Sequence, residues 1–199
     1  MIRKNRKGHC AMNELAYRDE PFSETIHGKT VLMSPSPNAK HNGTVRNLTR
    51  IFSTFLRGKR CRLFVDGIDV HLDDENTFVP DLAIVCDRGK IKGDGIHGAP
   101  DLVVEVLSLS TMARDRGIKK DAYERAGVRE YWIADPVSES IEVYCLRNGR
   151  FALDHVYVVF PEWEWARMND EERAATRLSV KVSLYDDLII DIREIFEDI

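Results

Sequence analysis

The residues best suited to chemistry in this chain are acids set where apolar residues are expected. In the run PDLVVEVL, beginning at Pro100, Asp101 and Glu105 interrupt a segment otherwise built for a sheet core. A strand alternates faces, so Asp101, Val103, Glu105 and Leu107 share one side, and Leu102, Val104 and Val106 the other. A second acid, Asp81, stands inside FVPDLAIVC, Phe78 to Cys86. An amphipathic segment follows Glu105. Its residues Met112, Asp115, Lys119, Ala122, Tyr123 and Ala126 recur at spacings of three and four, hence on one helix face. If that face covers the sheet, Lys119 approaches Glu105. Buried charges are costly unless paired or bound to a metal, so this grouping predicts a site. Two carboxylates on neighbouring strands can hold one hard divalent cation. Such a cation polarises a phosphodiester and activates a bound water. A nearby ammonium orients that water or offsets developing charge.

Each residue also has a plainer role. Asp81 after a proline suits backbone amides at a strand end. Lys119 can pair with Asp115 one turn back. Asp101 is expected to cap the strand start. Tyr123 is expected to pack its ring, and Lys120 is an exposed neighbour. Glu105, alone between valines, has the weakest structural excuse.

The elements that must position these groups can be read in order. Ala11 to Tyr17 suits a short helix, and Ser23 to Met33 a hairpin turning near His27-Gly28. SPSP, 34–37, reads as a loop. Asn42 to Arg57 is the clearest helix: Val45, Leu48, Phe52 and Phe55 form its apolar stripe, and Gly58 ends it. Arg46, Arg50 and Arg57 fall on the other side, a solvated face or a phosphate-contacting one. Arg62 to Val65 and Ile68 to Leu72 flank a turn at Asp66-Gly67. Phe78 to Cys86 reads as one strand, and Asp87 to Ala99, rich in Gly, Lys and Asp, as a mobile loop. After the helix, Gly127 fits a cap and Glu130 to Ala134 resumes the sheet. Ser140 to Leu146 and Phe151 to Val159 alternate around Asn148-Gly149, a strong hairpin signal. Pro161 to Arg177 carries Trp163 and Trp165, which suit a cover for a sheet edge better than a partner surface. It reads as a loop and then a short helix from Asn169. Leu178 to Leu184 is a last strand, and Asp191 to Phe196 a terminal helical turn.

Composition sets the outer bounds. The 199 residues, 43% hydrophobic, suffice for one substantial core, so a single domain is expected. The formal net charge of -4 gives no support for general polyanion binding, and a nucleic-acid surface would be a local patch. The basic opening MIRKNRKGH reads as a disordered arm over residues 1–10. Cys10, Cys61, Cys86 and Cys145 contain no CxxC pair, which favours reduced thiols in a cytoplasmic protein over disulfides or zinc. No apolar run is long enough to span a membrane.

Several spaced words together resemble a known family. ETIHGKTVLMSPSPNAKH at Glu24 to His41, VPDLAIV at Val79 to Val85, PDLVVEVLSLST at Pro100 to Thr111 and DRGIKKDAYERAGVREYWIADP at Asp115 to Pro136 resemble the Uma-two family of restriction-endonuclease-type proteins, within the PD-(D/E)XK nuclease superfamily. The likeness covers about Phe22 to Val159 and resumes near Leu184 to Phe196. It implies an α/β, restriction-endonuclease-like core: a central mixed sheet flanked by helices, here with extra β elements at both ends. It implies metal ligands at Asp81, Glu105 and the backbone carbonyl of Val106, with Mg²⁺ or Mn²⁺ as the ion. The superfamily's usual lysine, two residues after the second acid, is Leu107 here, and the likeness transfers its role to Lys119. Parity agrees, because Leu107 shares the Glu105 face and offers no cation. Glu24 resembles an additional acidic site residue, and His41 matches a family position of undefined role. The implied function is a metal-dependent endonuclease acting on DNA, a homodimer if both strands are cut. The alternative is the same fold without catalysis, binding DNA or serving assembly. RNA and branched or single-stranded DNA stay open as substrates.

Overall fold

The computed structural model describes residues 23–33 and 38–199. The arm over 1–10, the helix over Ala11 to Tyr17 and the SPSP loop lie outside the described residues. The hairpin β1 (Ser23–Ile26) and β2 (Lys29–Leu32) turns through His27-Gly28, both at positive φ. Helix α1 (Ala39–Leu56) starts three residues before Asn42, because Asn38 Oδ1 caps it by accepting the His41 N–H at 2.9 Å. Gly58, at φ +77, ends the turn that follows.

Two six-stranded sheets carry the site. The main sheet runs β12-β11-β10-β9-β6-β3, made of β3 (Arg62–Val65), β6 (Leu82–Val85), β9 (Leu102–Val106), β10 (Glu130–Asp135), β11 (Ser140–Arg147) and β12 (Arg150–Val158). It is mixed: β9 and β10 are parallel, and the other neighbours antiparallel. The second sheet runs β2-β1-β5-β4-β8-β7, with β4 (Val70–His71), β5 (Thr77–Phe78), β7 (Ile91–Lys92) and β8 (Gly95–His97). The crossover from β9 to β10 is helical over Met112–Ala126. It comprises α2 (Met112–Arg114), a π-helical stretch (Asp115–Lys119) and α3 (Lys120–Ala126), closed by Gly127 at φ +89.

The predicted alternation holds in the packing. Leu82, Ile84, Leu102, Val104, Val106 and Trp132 bury one face of the main sheet under Leu48 and Phe52 of α1 and under the C-terminal strands β13 (Ser179–Lys181) and β14 (Ile189–Asp191). Val103, Leu107, Tyr131 and Ile133 bury the other face against Ala122 and Tyr123 of α3. Further along that face, Ala83 and Val85 meet Val70 and Ile96 of the second sheet.

Several expectations change. Phe78 to Cys86 is not one strand. Val79-Pro80-Asp81 breaks it into β5 and β6, which belong to different sheets, since Pro80 has no N–H for a ladder. Asp66-Gly67 does turn, both at positive φ, but β3 pairs with β6 and β4 with β5 and β8, so no hairpin forms there. The stretch from Asp87 to Ala99 is not a plain loop: it holds a 3-10 turn and the hairpin β7–β8. Residues 161–177 carry two short helices, α4 (Glu162–Trp165) and α5 (Asp170–Ala175), the latter with a capping box between Asn169 and Glu172. Ile189–Asp191 adds a strand where none was expected. Cys61 and Cys86, read as reduced thiols, form a disulfide. The antiparallel register of β3 and β6, with Arg62 opposite Val85, brings these next residues together, a proximity their spacing of 25 does not reveal. Among the described residues, no helix is long and apolar enough to cross a membrane.

Candidate active site

The site forms where β9 ends beneath the helical crossover. Glu105 shares the face of Val103 and Leu107, as alternation requires, and meets α3 there. Lys119 Nζ lies 2.7 Å from Glu105 Oε1, 2.9 Å from Glu24 Oε1 and 3.6 Å from Asp115 Oδ1. These four residues are almost fully buried. Burial opposes the charge on Lys119, but Glu105, Glu24 and Asp115 outweigh it and raise its pKa, so it stays an ammonium. Tyr123 Oη donates to Glu105 Oε1 at 3.0 Å.

Each member is fixed by a different element. The hairpin supplies Glu24, whose Oε1 also accepts the Val79 N–H at 3.1 Å and so ties β1 to the Val79-Pro80-Asp81 break. The π-helical stretch turns both Asp115 and Lys119 inward, a distortion often found at functional sites. Leu107 is buried and apolar, and the ammonium paired with Glu105 is that of Lys119, on the helical crossover. Lys120 points elsewhere, its ammonium 4.1 Å from the centroid of the Tyr144 ring.

Asp81 stands just before β6, opposite Glu105 if the register Leu82–Val104 is continued one step. Its Oδ2 accepts the Val106 N–H at 2.7 Å, and its Oδ1 is 3.2 Å from His41 Nε2. Burial pulls the His41 pKa down; the hydrogen bond and charge of Asp81, aided by Asp66 and the Val106 backbone, more than reverse that. The neighbourhood that the family likeness assigns to a metal therefore already attracts positive charge. Asp81 is 19% exposed and Arg114 22%, against 2–4% for Glu24, Glu105, Asp115 and Lys119, so water reaches the cluster from the Asp81 and Arg114 sides. The cluster itself is nearly closed to water.

Negative charge is in surplus. Glu24, Glu105 and Asp115 share Lys119, with Arg114 a more distant partner of Glu24 at 4.0 Å. Burial raises the Glu105 pKa well above the carboxylate range; Lys119 opposes this, while Asp115, Asp81 and Glu24 add to it. Burial likewise raises Asp115, again against Lys119 and with Asp81 and Glu24. Asp115 Oδ1 is buried without a hydrogen-bond partner among the described residues. Unbalanced carboxylates, one of whose oxygens has only the longer Lys119 ion pair, suit a site that accepts a further cation. Asp115 is a further acid of the cluster: it lies on the inward stripe one turn from Lys119, where the sequence pattern alone assigns it only as that lysine's pair. Asp101 is, as expected, structural: its Oδ2 accepts the Cys86 N–H at 2.7 Å.

Comparison with known proteins agrees with this architecture. An uncharacterized protein of Synechocystis sp. is 31% identical over 99 residues, covering 49% of this chain and 52% of the relative, so the chain spans about half the length of that protein. A crystal structure from Anabaena variabilis, titled a "putative nuclease belonging to DUF820", superposes with a TM-score of 0.65 at 20% identity, over 88% of this chain and 90% of the other. It shares the fold. The profile of the Uma2 family, described as "Putative restriction endonuclease", matches residues 11–171. With four-fifths of its length matched, the chain belongs to the Uma2 family of restriction-endonuclease-like proteins.

Proposed function

We propose that the protein is a metal-dependent endonuclease that hydrolyses DNA phosphodiester bonds at this cluster. The carrying observation is the burial of one lysine among Glu24, Glu105 and Asp115, with Asp81 at the solvent side. Asp81, Glu105 and the Val106 carbonyl would hold Mg²⁺ or Mn²⁺. When bound, such an ion polarises the phosphodiester and lowers the pKa of a water. Lys119, fixed as an ammonium, places positive charge beside the reacting phosphate and the incoming oxygen. Glu24 holds Lys119 in position. Tyr123 orients Glu105 by donating to it. His41 competes for Asp81 Oδ1 and would give up that contact to an incoming cation. Cutting both strands of a duplex would need two copies of the site, hence a homodimer, and a cytoplasmic setting suits a DNA substrate. Purified protein incubated with supercoiled plasmid and Mg²⁺ or Mn²⁺ should nick it, and Asp81→Ala and Glu105→Ala should not. Cleavage surviving both substitutions would sink the proposal.

A second reading, a non-catalytic DNA-binding or assembly module, draws on one observation. Both Asp81 oxygens are already engaged, by Val106 and His41. It predicts no Mg²⁺- or Mn²⁺-induced thermal stabilisation, whereas the nuclease reading predicts one that Glu105→Ala removes.

A further inference from the structure

A second group of metal-ligating side chains lies on the other sheet. Strands β4 and β8 are parallel neighbours, with Val70 opposite Ile96 and His71 opposite His97. Val70 and Ile96 are buried against the main sheet, so by alternation His71 and His97 project from the outer face. Their rings lie 4.7 Å apart between centroids. Asp94, in the turn of the β7–β8 hairpin, reaches the same spot, with Oδ1 3.0 Å from His97 Nε2. One ligand atom from each of the three residues lies within 4.8 Å of the others.

We propose that His71, Asp94 and His97 bind a divalent cation of the zinc class, at a site separate from the acid cluster. Four features beyond proximity support it. His71 Nε2 is buried and has no hydrogen-bond partner among the described residues. His71 Nδ1 is 3.0 Å from Thr77 Oγ1, and the tautomer that donates Nδ1–H there leaves Nε2 a bare lone pair. Gly95 leaves the space beside that nitrogen open: a Cβ there would stand 3.2 Å from Nε2 and 2.4 Å from the Asp69 carbonyl oxygen. Asp94 and His97 are exposed, so they can close on an ion without disturbing the core. Tetrahedral ligands at about 2.1 Å from zinc sit about 3.4 Å apart, a modest contraction of the present group, with water completing the shell. Two imidazoles and one carboxylate favour zinc, cobalt or nickel, whereas the oxygen-only acid cluster favours magnesium or manganese. The bound ion would clip the β7–β8 hairpin to β4 and thereby support the sheet that supplies Glu24.

The test uses tag-free full-length protein, metal-stripped and titrated with Zn²⁺ by calorimetry and with Co²⁺ by visible absorption. One equivalent should bind to the wild type and to Glu105→Gln alike. His97→Gln, at an exposed position, and His71→Gln should each weaken binding at least about a hundredfold; Thr77→Val, acting through His71, should weaken it about tenfold. Circular dichroism establishes that each variant is folded, and His97→Gln keeps the test decisive if His71→Gln is not. Absence of binding by the wild type, unchanged binding in folded His97→Gln, or loss in Glu105→Gln instead would each overturn the proposal.

Discussion

Glu105 and Glu130 stand on adjacent strands, both buried, yet they keep different company. Glu130, on the α1 face at the start of β10, accepts the Trp132 indole N–H at 2.7 Å and the Ser183 N–H at 2.7 Å, and also bonds the Ser183 hydroxyl. Its donors are neutral and its needs are met within the fold. Burial still raises its pKa, against the pull of Ser183 and Trp132. Glu105, on the opposite face, is met by an ammonium and a phenol and is crowded by three other acids. Burial alone therefore does not distinguish the two. What separates them is whether the surroundings satisfy the charge or add to its excess.

That contrast yields graded tests. The largest effect is on cleavage: Glu105→Gln should reduce plasmid nicking by about a hundredfold or more, and Glu130→Gln should leave it in place. If both variants cut equally well, the distinction fails. Next is stability around the lysine. Lys119→Met strands Glu24, Glu105 and Asp115 without their cation and should cost about 3–5 kcal/mol near neutral pH, measured by urea unfolding. The cost should shrink as pH falls, because Glu105 and Asp115, whose pKa values burial raises, take up protons. Glu130→Gln sets an amide donor against groups that already donate and should cost about 1–3 kcal/mol, with no dependence on Mg²⁺.

A pH series sharpens the comparison further. Glu105 and Asp115 have raised pKa values in the fold. Their contribution to stability is therefore complete below the unfolded carboxylate range, about pH 4, and is lost as pH rises through the folded values. Bound Mg²⁺ would offset that loss, so its thermal shift should grow from about pH 5 towards neutrality. A shift that is flat with pH, or that persists in Glu105→Gln, would place the ion elsewhere. The smallest effect is expected for Tyr123→Phe, which removes one buried donor to Glu105 and should cost about 1 kcal/mol.

Much of the scaffold is legible in residue order. The stripe of α1, the Asn148-Gly149 hairpin and the strand–helix–strand run through Glu105 and Lys119 all carry local signals, and the structure contains each. The failures cluster where pairing is long-range. The break at Pro80 sends β5 and β6 into different sheets, and a hydrophobic pattern cannot say which sheet a strand joins. The Cys61–Cys86 pair depends on that same register.

By itself, the order of residues determined which face of β9 carries Glu105, because a strand alternates at a fixed period, and it placed Lys119 on the inward stripe of the following helix. Only the tertiary structure decided that Glu24 pairs with Lys119, that His41 engages Asp81, and that the cluster is nearly sealed from water. Those contacts join segments whose separation in the chain carries no local signal. They exist because the hairpin, the π-helical stretch and the two sheets close over one another.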